Sequence, residues 1–144
     1  MRGRGAFLAA WRDLVAALAL VTFAAAGLTA LEVSDGSARH RVVLPCGASG
    51  EMDFVNSVTG SPVTIQFRVC GALYDFTVRT DAAAEEYYTA GLYELGRRLA
   101  GERARELSIC SEVGVDVRLG THRYQVRHGC LEVRSKWATR WFGG

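Results

Sequence analysis

Residues 62–79 restrict the fold most, because apolar and polar side chains alternate along them with the period of a β-strand. A two-residue turn at Cys70-Gly71 pairs Ile65 with Phe76, and every apolar side chain of the segment then falls on one face. A shift by one residue removes that match. The pattern therefore predicts a β-hairpin whose register is specified by its own side chains.

The period then changes to that of a helix. Apolar residues recur at intervals of three or four from Ala84 to Leu99, and Thr80 or Asp81 precedes them as a candidate N-cap. Charged residues occupy the opposite side of this segment. We expect an amphipathic helix that lies on a core.

Strand-like alternation returns after residue 111, with turns predicted at Gly120-Thr121 and Gly129-Cys130. The first of these turns pairs Val117 with Tyr124, and the second adds a third strand to a meander. The sequence therefore predicts an α+β domain in the order hairpin, helix, meander. Its antiparallel sheet has four or five strands, and one amphipathic helix packs across it. We expect residues 32–41 to be a polar spacer and residues 47–61 to be largely a loop.

An apolar stretch of eighteen residues, Leu14–Leu31, follows three arginines near the N-terminus. Positive charge before an apolar run keeps that end in the cytoplasm and directs the following chain across the membrane. We therefore divide the chain into residues 1–31, a signal peptide or signal-anchor, and residues 32–144, an exported disulfide-stabilised domain. A buried helix of a cytosolic protein is the third interpretation of the stretch.

Export has two possible outcomes. Ala24-Ala25-Ala26 before Gly27 is the small-residue pattern that signal peptidase cleaves, and Ala30 offers a poorer second site. Cleavage near Ala26 releases a secreted, extracellular domain. Eighteen apolar residues also suffice to span a hydrocarbon core of about 30 Å, which would make the chain a type II single-pass membrane protein.

Four cysteines follow the apolar stretch: Cys46, Cys70, Cys110 and Cys130. None lies in a CxxC pair or at zinc-ligand spacing from a histidine, so we expect no metal site. An even number of separated cysteines in an exported domain indicates two disulfides. Of the three possible pairings we favour Cys46–Cys70 with Cys110–Cys130, because the predicted strands and turns bring these pairs together. A catalytic thiol is the rival interpretation.

The C-terminal residues 134–142 combine two tryptophans with basic side chains. Trp137 and Trp141 are four residues apart and share one face if the segment is helical. With Arg140 and Phe142 they are the candidates for docking a protein partner or a membrane surface. The alternative is that both tryptophans complete the hydrophobic core.

The chain contains sixteen arginines and a single lysine, Lys136. The arginines are dispersed, so their excess indicates a GC-rich genome, bacterial or viral, rather than a binding motif. A net charge of +2 together with an export segment disfavours a nucleic-acid partner.

No P-loop, dinucleotide-binding, nucleophile-elbow, zinc-protease or EF-hand motif is present in the sequence. No histidine lies near Ser49, Ser57 or Ser61 in the chain, so we assign no catalytic residue. Because the motifs above are missing, we also assign no metal and no small-molecule cofactor. The sequence favours an exported, non-enzymatic protein-interaction domain, for example a viral surface or entry-accessory protein or a secreted modulator. The alternative is a small periplasmic or extracellular enzyme with a site assembled from the 47–61 loop.

Overall fold

The structure, a computed structural model, describes residues 11–21, 27–89 and 101–136. Residues 11–21 are helical (α1), and α2 is Ala82–Thr89. The strands are β1 (Leu28–Ser34), β2 (Arg39–Pro45), β3 (Ala48–Val55), β4 (Pro62–Val69), β5 (Leu73–Arg79), β6 (Arg103–Ala104), β7 (Glu106–Ser111), β8 (Val115–Leu119), β9 (His122–Val126) and β10 (Gly129–Lys136).

The strands form two antiparallel sheets instead of the single sheet that the sequence predicted. The four-stranded sheet has the order β2-β1-β10-β7, and the six-stranded sheet has the order β6-β5-β4-β3-β8-β9. Buried side chains of both sheets belong to one hydrophobic cluster, so the sheets pack face to face. The α+β prediction is therefore correct only in part, because the described fold is mostly β-sheet.

Helix α2 covers the first part of the predicted helix. Asp81 accepts a hydrogen bond from the backbone N–H of Ala84 at 3.0 Å and caps the helix as expected. Ala84 is fully buried in the core cluster. The rest of the predicted helix, up to Leu99, lies outside the described residues, and the structure does not show a helix packed across the sheet.

Strand β1 takes its first residues from the end of the apolar stretch. It begins at Leu28 and lies between β2 and β10, and the side chain of Leu31 is buried in the core. The expected polar spacer at residues 32–41 was wrong, because these residues complete β1, form a turn and begin β2. In α1, Trp11, Leu14 and Leu18 are exposed. No helix among the described residues is long and apolar enough to cross a membrane.

The expected loop at residues 47–61 was also wrong, because most of it is β3, at the centre of the six-stranded sheet between β4 and β8. The true connection is a short turn in which Asn56 Oδ1 accepts hydrogen bonds from the backbone N–H groups of Val58 and Thr59. The alternative enzyme site was expected on this loop, and most of that loop is not present.

The predicted hairpin is present as β4 and β5, but its register differs. Ile65 pairs with Val78 instead of Phe76, because the turn has three residues, Cys70 to Ala72, and a β-bulge at Asp75 inserts one more residue into β5. Asp75 adopts a left-handed conformation with φ 55°. The longer turn pairs Leu73 with Val69, so Leu73 enters the core, where Tyr74 was expected. The Arg103 guanidinium lies 5.5 Å from the centre of the Tyr74 ring.

The meander was predicted correctly for its first two strands. Val117 pairs with Tyr124 and Val115 with Val126 across the β8–β9 hairpin. The third strand does not join them, because β10 crosses to the other sheet and pairs with β1 and β7.

The two disulfides are the pairs favoured from the sequence. Cys46–Cys70 connects the end of β2 in one sheet to the β4–β5 turn in the other. Cys110–Cys130 joins two directly opposite residues of β7 and β10 within the four-stranded sheet. Two disulfides indicate an oxidising, extracellular-type environment.

Candidate functional site

The outward side of the six-stranded sheet is almost entirely polar. Alternation along its strands buries residues such as Met52, Ile65 and Val117 and turns their neighbours to solvent. We call this surface the polar face; its members are Ser49, Glu51, Asp53, Thr64, Gln66, Arg68, Thr77, Asp116, Arg118, Arg123 and Gln125.

Strand register arranges the polar face in rows. One row runs across five strands and consists of Thr77, Gln66, Glu51, Arg118 and Arg123. Gln66 Nε2 donates to Glu51 Oε2 at 2.7 Å, and Arg118 forms an ion pair with Glu51 from the other side. Glu51 is therefore held by both neighbouring strands.

The adjacent row places two carboxylates directly opposite each other, Asp53 on β3 and Asp116 on β8. Like charges in that position repel. Each carboxylate pairs with a different arginine: Arg118 Nη2, which also contacts Glu51, lies 3.1 Å from Asp53 Oδ2, and Arg123 Nε lies 2.8 Å from Asp116 Oδ2. The hydrogen bonds to Asp116 raise the pKa of Arg123 above its ordinary value.

A groove of about 440 Å³ lies on one half of the polar face. Its polar lining comes from four strands and consists of Ser49, Glu51, Gln66, Arg68, Asp75, Thr77 and Arg118. Arg68 and Arg118 each keep 55% of the side chain exposed. The formal charges of the lining balance, two positive against two negative, so the groove suits a ligand that carries both signs.

The bulge at Asp75 shapes one wall of this groove. Its φ of 55° places Asp75 in a region that few residues other than glycine and asparagine adopt. Arg68 Nε lies 3.4 Å from Asp75 Oδ2, and Arg68 Nη1 also donates to the carbonyl of Gly47 at 3.2 Å. The bulge thus positions an acidic side chain beside an arginine at the rim.

The docking candidates from the C-terminus, Trp137, Trp141, Phe142 and Arg140, lie outside the described residues. Strand β10 ends at Lys136, directly before the first of them. These residues remain predictions, and the structure supplies no contact for or against them.

The serines and histidines considered for catalysis are dispersed. Ser49 lies in the groove, Ser57 is exposed in the β3–β4 turn, and buried Ser61 bonds to Asp81 and lowers the pKa of that carboxyl. His128 is exposed, with Nδ1 2.6 Å from the carbonyl oxygen of Glu112. Within the described ranges, no three His, Cys, Asp or Glu side chains are grouped so that they could hold a metal.

The sequence contained a signal for the polar face that was missed. Residues 49–53 alternate polar side chains with Gly50 and Met52, which is the strand pattern, but the surrounding glycines and serines favoured a loop. Pairing of this strand with β8 brings together residues that are far apart in the chain; Arg118 and Asp53, for example, are 65 positions apart. A local sequence pattern does not reveal such a pairing.

Comparisons with known proteins add no relationship to this geometry. No protein-family model matches the chain, and no curated protein or solved structure is significantly similar to it.

Proposed function

We propose that the chain is an exported, non-enzymatic domain that binds another protein through the groove on the polar face. The observation that carries this proposal is the groove lining, in which Arg68 and Arg118 stand half-exposed among hydroxyl, amide and carboxylate groups. Arginine is enriched in protein interfaces, and charges of both signs give a partner several points of complementarity. Antiparallel pairing across β3, β4, β5 and β8 holds these groups in place.

Export with cleavage after Ala26 is supported by the position of β1. The carbonyl of Gly27 accepts a hydrogen bond from the backbone N–H of Cys46, so Gly27 is bonded to the folded domain. Cleavage at Ala30 would divide β1, whereas cleavage after Ala26 leaves it whole. The apolar part of the leader is then residues 14–26. As a helix this part would span about 20 Å, which is less than the thickness of a hydrocarbon core, about 30 Å. That length is typical of a signal peptide.

The N-terminus of the mature protein tests this part of the proposal. Expression of the full chain in a secreting host, followed by N-terminal sequencing, is expected to give Gly27 as the first residue. An intact N-terminus recovered in the membrane fraction would establish the signal-anchor alternative instead.

A substitution that fills the groove tests the binding surface. Ser49→Arg places a long side chain in the groove without removing an ion pair, and Ser108→Arg is the matched control on an exposed strand position of the other sheet. Tagged protein is crosslinked to the exported proteins of its host. We expect Ser49→Arg to lose a partner that wild type and Ser108→Arg retain.

The C-terminal candidates form a separate arm of the same experiment. If the groove is the binding surface, Trp137→Ala with Trp141→Ala retains the partner. Loss of the partner in this variant, with retention in Ser49→Arg, would move the interface to the C-terminal segment.

The enzyme alternative now rests on Ser49, since its hydroxyl lies in the groove. Turnover of an ester or amide substrate that disappears in Ser49→Ala would support that alternative and overturn the non-enzymatic proposal.

A further inference from the structure

The two disulfides differ in their surroundings. Cys110 and Cys130 are both exposed, whereas Cys46 and Cys70 are half-buried. Thr29 Oγ1 lies 3.8 Å from the sulfur of Cys46, and Thr29 is 1% exposed. A reagent in solution therefore meets one bond directly and the other through packed side chains.

The two disulfides also differ in their positions within the sheets. Cys110 lies on β7, an edge strand of the four-stranded sheet, and faces Cys130 in the next-to-last pair of the β7–β10 ladder. An attacking group can approach this bond from the outer surface of the sheet. Cys46–Cys70 joins the two sheets, and the backbone beside it is bonded to both: Gly71 N–H donates to Thr29, and the Gly71 carbonyl accepts from Ser135. These bonds to both sheets hold the half-buried Cys46–Cys70 bond between them.

Loop size does not explain a difference in reactivity between the two bonds. The paired cysteines are 24 residues apart in one bond and 20 in the other. The chain entropy that each bond removes from the unfolded state is therefore similar. The main remaining difference between the two bonds is how easily a reductant reaches their sulfur atoms. Exposed disulfides are generally the ones that can be reduced.

We propose that Cys110–Cys130 is a reversible reduction site for a dithiol reductant, while Cys46–Cys70 stays closed in the folded protein. A thiolate of the reductant attacks one of the two sulfurs and forms a mixed disulfide, and the other cysteine leaves as a thiolate that takes a proton from water. The second thiol of the reductant then loses its proton and attacks the reductant's own sulfur in the mixed disulfide. The bond to the protein breaks, and the second cysteine leaves as a thiolate that takes up a proton. The products are two cysteine thiols and the oxidised reductant, so two electrons have passed to the protein. This inference does not depend on the partner-binding proposal.

Differential alkylation of the purified full chain tests the site. Folded protein is treated with dithiothreitol at neutral pH, quenched at intervals with an alkylating reagent and analysed by peptide mass spectrometry. We expect Cys110 and Cys130 to be labelled about tenfold faster than Cys46 and Cys70. Hydrogen exchange should rise at β7 as the bond opens and stay low in β3 and β4.

Two results would overturn the proposal. One is labelling of all four cysteines at a single rate, which means that reduction requires global unfolding. The other is faster labelling of Cys46 and Cys70. The variant Cys110→Ser/Cys130→Ser is the control, because its remaining Cys46–Cys70 bond should still be reduced slowly. A large acceleration of that reduction would show that access to the sulfur atoms does not explain the difference between the two bonds.

Discussion

Gly50 lies in the interior of β3, a position where glycine normally weakens a strand. Its direct partner on β4 is Phe67, which is buried. A Cβ at residue 50 would overlap the ring of Phe67, approaching Cζ at 2.5 Å and Cε2 more closely. The ring therefore lies across the glycine, an arrangement in which an aromatic side chain covers the bare backbone. Glycine is required here for space, since its φ is not in the left-handed region.

Gly50→Ala is expected to destabilise the domain by about 1–3 kcal/mol, because the added methyl group forces the Phe67 ring out of its position. Denaturant unfolding monitored by circular dichroism measures this as a lower midpoint at unchanged slope. In a Phe67→Leu background the same substitution should cost clearly less, since the ring is gone. Equal costs in both backgrounds would show that Phe67 is not the obstacle.

Asp35 organises the β1–β2 turn with its carboxylate. Oδ1 accepts hydrogen bonds from the backbone N–H of Ala38 at 2.7 Å, and from the N–H and hydroxyl of Ser37, both at 2.9 Å. These bonds, with that from Ala38 first, lower the pKa of Asp35 from 3.8 to about 2. The ionised carboxylate is thus favoured in the folded state.

A lowered folded-state pKa contributes stability above the unfolded-state pKa and loses it as the pH falls through the folded value. For Asp35 that window runs from pH about 4 down to about 2. Asp35→Asn keeps an oxygen acceptor but cannot titrate. We expect its unfolding free energy to fall less steeply than that of wild type across this window, measured by urea titration at each pH. Parallel curves would contradict the assigned hydrogen bonds.

At the scale of elements, a small polar cluster beside the inter-sheet disulfide connects two strands of one sheet to a turn of the other. Thr29 on β1 accepts from the backbone N–H of Gly71 at 2.9 Å, and Ser135 on β10 donates to the carbonyl of Gly71 at 2.8 Å. Both side chains are nearly inaccessible to solvent. The β4–β5 turn of one sheet is thereby tied to the centre of the other.

Thr29→Val is expected to cost about 1–3 kcal/mol, because valine has a similar shape but leaves the Gly71 N–H without its acceptor. Ser135→Ala should cost less, since the Gly71 carbonyl has further lone pairs and the hydroxyl is removed with its own desolvation. Denaturant unfolding of both single variants and the double variant gives the coupling energy. An additive double variant would show that the two bonds act independently.

The elements divide into those that local pattern could predict and those that it could not. The β8–β9 pairing was predictable, because alternation and a turn specify it within a dozen residues. The β4–β5 register was not, since the turn is one residue longer than expected and the left-handed Asp75 shifts the strand by a second residue. Aspartate leaves no marker as distinctive as glycine. Strand β1 was hidden, because Leu28–Leu31 continue the apolar stretch of the leader without a break in composition.

At the scale of the whole molecule, the unforeseen feature is that the chain passes between two sheets. β6 and β7 are separated by Arg105 alone, yet β6 pairs with β5 in the six-stranded sheet and β7 with β10 in the four-stranded sheet. The disulfide pairing was predicted correctly despite the wrong sheet, because the predicted strands and turns also brought Cys110 close to Cys130, and the structure places them opposite each other on β7 and β10. The groove was not predicted, since its lining comes from strands that sequence reasoning treated as a loop, a hairpin and a meander.

The position of β1 gives a decisive prediction about where the domain begins. A chain that starts at Gly27 keeps β1 whole. A chain that starts at Glu32 lacks Thr29 and Leu31, which are both 1% exposed. Half of β1 is then missing from its place between β2 and β10. Expressed in an oxidising compartment, the first should unfold cooperatively and contain both disulfides by non-reducing mass spectrometry. The second should show free thiols and no cooperative transition, because the four-stranded sheet loses half of β1, one of its two central strands, and the core opens. Equal stability of the two chains would place the start of the domain after residue 31 and remove the argument for cleavage after Ala26.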